Sequence, residues 1–123
     1  MKKILILLFS ILALSSNASE VYYCSDDGHI GFKTVQNFKI GEFGKEKFKI
    51  MIDFENKNII SETLGFNGLA VTKCVIYDDN LYCINDYGES FSFNKKNSRF
   101  MRSSMINAVV DDVTLAHGMC EKF

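Results

Sequence analysis

Four cysteines, two histidines and three Asp-Asp pairs are the residues of this 123-residue chain best able to do chemistry. The cysteines stand at 24, 74, 83 and 120. An even number in a small domain reads as two disulfides, and four cysteines allow three pairings. Zinc would be the rival use, but the spacing offers no C-x-x-C pair. In the segment Cys74-Val-Ile-Tyr-Asp-Asp-Asn-Leu-Tyr-Cys83, a two- or four-residue loop centred between Asp78 and Asp79 opposes Ile76 to Leu81 and Cys74 to Cys83. A three-residue loop would instead oppose Cys74 to Ile84, and pairing of Cys74 or Cys83 with Cys24 or Cys120 would then be favoured. The expected set is Cys74–Cys83 with Cys24–Cys120, the second bridge tying the two ends of the domain together.

His29 and His117 both lie within a few residues of that second bridge along the chain. With Asp26 or Asp27 they could form a metal set, but their spacing carries no metal signature, and no metal ligand is assigned. None of Asp26-Asp27, Asp78-Asp79 and Asp111-Asp112 fits the alternating D-x-[DN]-x-[DN]-G calcium loop. Aspartate favours turns because its carboxylate bonds nearby backbone N–H groups, so turn chemistry is the expectation. No G-x-S-x-G, H-E-x-x-H or glycine-rich phosphate loop occurs. No catalytic or cofactor-binding residue is therefore assigned and no cofactor is expected; a hydrolase assembled from some Ser, a His and an Asp is the remaining enzymatic reading.

The segments that must position these residues start after an N-terminal targeting pattern. Lys2-Lys3 precede an apolar run from Ile4 to Leu14, and Ser15-Ser16-Asn17-Ala18 places small residues at the −3 and −1 positions of a cut. Residues 1–18 thus read as a secretory signal peptide. This run of eleven residues, interrupted by Ser10, falls short of the roughly 18 apolar residues that a membrane span needs. Residues 19–123 form the expected single domain, exported to the periplasm or secreted, with no membrane association once the signal is removed. Losing Lys2 and Lys3 leaves 12 of the 14 basic residues against 15 acidic ones, a formal charge of −3. That balance argues against nucleic acid as a partner.

Within the domain, Lys47-Phe-Lys-Ile-Met-Ile-Asp-Phe54 alternates with period two, the mark of a half-buried strand. A polar turn at Glu55–Asn58 leads to a second strand over 59–64. Further strands are expected at 20–24, 29–33, 70–77, 81–85, 89–94, 98–106 and 113–123. Ser25-Asp26-Asp27-Gly28 reads as the turn between the first two. In the strand over 98–106, Phe100 is expected in the core, with Arg99 or Arg102 reaching water. The stretch 34–46 fits a short strand or a loop, and 107–112 a loop or one helical turn. The sum is an all-β antiparallel meander of eight or nine short strands, forming a small barrel or a two-sheet sandwich. No proline interrupts it, and phenylalanine must supply most of the large apolar burial, since tryptophan is absent.

The runs K-F-K-I-M-I-D-F-E-N-K-N-I-I-S, C-V-I-Y-D-D-N-L-Y-C-I-N-D-Y-G, F-S-F-N-K-K-N-S-R-F and L-A-H-G-M-C-E-K-F resemble a group of small exported bacterial proteins of unknown function. That resemblance implies export and a β fold and brings no activity with it. The short strands and the cysteine near each end also resemble the small periplasmic barrel inhibitors of C-type lysozyme. The S-G-x-x-Y loop of those inhibitors is absent here. Together these readings describe a non-enzymatic binding or interaction module for a protein or a small ligand. An inhibitor of an envelope hydrolase or a carrier of an apolar ligand are the alternatives.

Overall fold

The computed structural model describes residues 19–61, 72–86, 88–105 and 112–123. The targeting segment 1–18, the end of the strand expected over 59–64 and most of the ambiguous stretch 107–112 lie outside the described residues. Among the described residues nine strands run in chain order: β1 Glu20–Lys33, β2 Lys39–Glu42, β3 Lys47–Asp53, β4 Asn58–Ser61, β5 Thr72–Tyr77, β6 Asn80–Ile84, β7 Glu89–Asn94, β8 Arg99–Ser104 and β9 Val113–Lys122. All pairings are antiparallel, in the order β2-β1-β3-β4-β5-β6-β7-β8-β9, and β9 returns to β1. Eight strands therefore close a small barrel, with β2 added outside the ring. Closure decides between the two expected architectures: the molecule is a barrel.

Hairpin chemistry accounts for the meander. Asp78 takes φ 53° in the two-residue link between β5 and β6, and Lys57 takes φ 54° before β4. Both are conformations that suit tight antiparallel connections. The Asp53 carboxylate accepts from the backbone N–H groups of Glu55 and Asn56 at 3.1 and 2.9 Å, fixing the β3–β4 turn. Asn94 does the same for Lys96 and Asn97 between β7 and β8.

Alternation along β3, β6 and β7 then fills the barrel. Phe48, Ile50 and Ile52 point inward from β3, Leu81 and Cys83 from β6, and Phe91 and Phe93 from β7. The rings of Phe91 and Phe100 stack at 5.8 Å, Phe48 meets Phe100 edge-on at 5.2 Å, and Tyr22 lies 4.8 Å from Phe93. Each such side chain contributes about 1.5–3 kcal/mol through removal from water. The interior of an eight-stranded barrel is about as wide as its own side chains, and here they occupy it.

The largest departure from expectation is at the start. Ser25-Asp26-Asp27-Gly28 is not a turn; β1 runs straight through it for 14 residues. Turn composition loses because both edges of this stretch are paired. On one side Asp26 pairs with Gly118 and Gly28 with His117, leaving Asp27 as the extra residue of a β-bulge. On the other side β2 and β3 lie along β1 in a single register, Ile30 opposite Glu42 and Ser25 opposite Lys47. Between them, Asp26 N–H donates to Glu46 O and Phe43 N–H to His29 O, at 2.9 and 2.8 Å.

Candidate functional site

The disulfides join Cys24 to Cys120 and Cys74 to Cys83. In each bridge the two residues are directly opposed on neighbouring strands, with Cα atoms 3.9 and 4.1 Å apart. Both bridges face the interior, and no cysteine remains free. A thiol nucleophile is thereby removed from the chemistry open to this chain.

The bulge governs where the other candidates fall. Ahead of it the even-numbered residues of β1 point inward, and beyond it the odd-numbered ones do. Asp26 and His29 thus both face inward, while Ile30 and Phe32 turn to the outside. Asp26 is fully buried and meets Arg102, which projects into the barrel from β8; of the two arginines, Arg99 is the one that reaches water. Arg102 Nε donates to Asp26 Oδ1 at 3.2 Å and Nη2 to Oδ2 at 2.5 Å. The Glu46 N–H also donates to Oδ2, at 3.0 Å, and the Glu46 carboxylate accepts from Nη2 at 3.1 Å. The reason Arg102 is inside is the alternation itself: two residues after the core residue Phe100, it pairs with buried Ala116 and Phe91.

His29 Nδ1 donates to Gly44 O at 2.8 Å and lies 3.9 Å from Asp26 Oδ2, while its buried Nε2 has no partner among the described residues. His117 stands on the outer face, over Gly28, where a Cβ would come within 2.8 Å of its Nε2. The barrel wall therefore separates the two histidines, and among the described residues no group of three His, Cys, Asp or Glu side chains converges. Glu89 is a further inward carboxyl at this end. Its Oε1 accepts from Asn85 Nδ2 at 3.0 Å, and burial pushes its carboxyl above the usual 4.5. A buried ion pair, a screened histidine and a desolvated acid form this polar end, with the half-exposed Glu46 carboxylate at its rim.

A two-lobed recess open to a partner lies outside the barrel. On β7 the outward residues between the core phenylalanines are Ser90, Ser92 and Asn94, all smaller than their neighbours. Cross-strand register sets Ile84, Tyr82 and Asn80 beside them on β6, and Ser103 and Met101 beside Ser90 and Ser92 on β8, where Arg99 is the first residue of the strand. A line of small residues between larger ones is a groove. Its upper lobe holds about 470 Å³, floored by Ser90 and Ser103 and walled by Val75, Ile84 and Leu115. Its lower lobe holds about 570 Å³ and is edged by Asn80, Asn94, Arg99 and His117. Tyr82, Ser92 and Met101 form one cross-strand row and line both lobes. Val75 and Ile84 are 65% and 69% exposed, so the walls are open to contact. Among the described residues, the charged ones lining the groove are Lys73, Arg99 and Arg102, with no carboxylate. Arg102 is turned into the barrel, and neither Lys73 nor Arg99 forms an ion pair among the described residues.

Of these groove residues, sequence reasoning named His117 as a candidate and Arg99 as reaching water, but it did not bring them together or see the groove. The signal was present in Glu89-Ser-Phe-Ser-Phe-Asn94, whose small polar positions alternate with core rings, but the walls come from β6 and β8. No family model matches the chain, and no curated protein matches its sequence.

Proposed function

We propose that this protein is an exported, non-enzymatic binding module, and that the outer groove over β6–β8 is where it docks an extended segment of a partner protein. The observation that carries this reading is the pairing of exposed apolar walls with a hydroxyl-bearing floor in one recess. Contiguous exposed apolar surface of this kind marks interaction sites. An acyl chain would leave the groove's Ser92, Asn80 and Asn94 facing hydrocarbon, whereas a peptide backbone can exchange hydrogen bonds with them. A second copy docked through this same face would bring Lys73 and Arg99 against like charges, while an acidic partner meets these cations favourably. The filled interior supports a surface binder over a carrier of apolar ligand.

Export is part of the same reading. It is supported by the tripartite pattern of residues 1–18 and by two disulfides, which persist in oxidising compartments. No helix among the described residues is long and apolar enough to cross a membrane.

Selection of a displayed library of random twelve-residue peptides on the mature protein tests the docking face. Enriched peptides are expected to lose about tenfold or more in affinity for Tyr82→Ala, the scale of a central interface residue. Both Tyr82 and Ile84 are exposed, so Tyr82→Ala and Ile84→Ala keep the fold, as circular dichroism would check. Absence of enrichment, or binding to both variants as tight as to the parent protein, contradicts the proposal.

A further inference from the structure

The two lobes differ in chemistry, and the distance between them is fixed by the strand beneath. In the upper lobe Ser90 Oγ and Ser103 Oγ are 2.5 Å apart and bond each other, leaving Val75, Ile84 and Leu115 to define what fits. An apolar side chain satisfies that lobe. In the lower lobe Asn94 Nδ2 donates to Asn80 Oδ1 at 2.9 Å, and the Arg99 guanidinium has no carboxylate partner among the described residues. A carboxylate satisfies that one. Between them, Tyr82 and Met101 flank Ser92 and narrow the passage.

Ser90 and Asn94 lie four residues apart on β7, about 13 Å at a rise of about 3.3 Å per residue. An extended peptide along the groove has the same rise, and its side chains return to one face every second residue. Resting on the docking reading above, we infer that the groove selects an extended acidic segment in which an apolar side chain and a carboxylate lie four positions apart, with a small residue midway. The apolar side chain enters the Ile84–Leu115 lobe, the small residue passes Tyr82 and Met101, and the carboxylate meets Arg99. Lys73, at the apolar end, adds a second positive charge that favours acidic flanking residues.

The probes are fluorescein-labelled nine-residue peptides on a Gly/Ser background, titrated against the mature protein by polarisation. One carries Leu, Ser and Glu at its third, fifth and seventh positions, and a second carries them in reverse order. Controls shorten the Leu–Glu spacing to two, replace Glu with Lys, or place Phe midway. One of the two four-spaced peptides is expected to bind tightest, with the Glu-to-Lys control roughly fivefold weaker or more, the scale of one ion pair. Arg99→Glu should invert that charge preference. If the two-spaced peptide binds as well, or Arg99→Glu changes nothing, while Tyr82→Ala still removes binding, the spacing inference fails and the docking face stands. If peptides bind Tyr82→Ala and Ile84→Ala as they bind the parent protein, or none binds, the docking reading itself is overturned.

Discussion

Arg102 reaches from β8 across the polar end of the barrel to Asp26 on β1, holding a fully buried carboxylate through two of its guanidinium nitrogens. The contact spans 76 residues of sequence and ties the bulge on the first strand to the strand beside the last. Removing one member of a buried pair leaves the other charged and unsolvated. Arg102→Met is therefore expected to cost about 3–5 kcal/mol in urea unfolding. Asp26→Asn combined with Arg102→Met should recover most of that loss, because an amide oxygen can still accept from Glu46 N–H. A double variant no more stable than Arg102→Met would show that packing, not charge, is what the arginine provides.

Glu89 gives the stability of this end a pH dependence. Its buried carboxyl titrates above the usual 4.5, so the folded protein binds that proton more tightly than the unfolded chain. The resulting stabilisation is fully present below the usual value and is lost as pH rises through the raised one. Glu89→Gln mimics the protonated form and keeps the acceptor for Asn85. It should melt higher than the parent protein at pH 7, with the gap closing as pH falls into the ordinary carboxylate range. A gap that persists unchanged at low pH would contradict this.

The two disulfides close loops of very different length, 96 and 9 residues of separation. Chain entropy assigns about 4.7 kcal/mol to the longer loop and about 2.7 to the shorter. Cys24→Ala with Cys120→Ala is therefore expected to lower the melting temperature more than Cys74→Ala with Cys83→Ala. The reverse order would place the larger share of the constraint in the β5–β6 hairpin.

Gly118 sits where β9 passes the bulge. A Cβ there would fall 1.9 Å from Ser25 O and 2.9 Å from a Phe100 ring carbon, so β1 and β9 could not keep their spacing. Gly118→Ala should destabilise by about 1–3 kcal/mol or more, the cost of overpacking. Gly44→Ala is the control, with nothing within 4 Å of its added methyl group, and should change stability by less than about 0.5 kcal/mol.

The β5–β6 hairpin and the core faces of β3 and β7 were legible in the chain because each rests on local information. Asp78-Asp79 sets the parity that opposes Cys74 to Cys83, and Phe91 and Phe93 declare their face by alternation. The region around Asp26 was not, since Ser-Asp-Asp-Gly has the composition of a turn and only pairing with β9 and β3 holds it extended. Arg102 is an intermediate case: its position two residues after Phe100 places it inside, yet its charge argues for water until Asp26 is known to face it. The groove lay furthest from reach. Ser90 and Ser92 become a floor only when register sets Tyr82 on one side of them and Met101 on the other.

The central claim, that the groove over β6–β8 is the docking face, is tested most directly by nuclear magnetic resonance. Uniformly ¹⁵N-labelled mature protein would be titrated with the tightest peptide from the library selection, and backbone amide shifts followed residue by residue. The account predicts that the largest changes fall on Tyr82, Ile84, Ser90, Ser92, Arg99 and Met101, with Asp26, His29 and Tyr22 unmoved. Changes centred on the Asp26–Arg102 end, or on the β1–β2 hairpin with the groove silent, would contradict it.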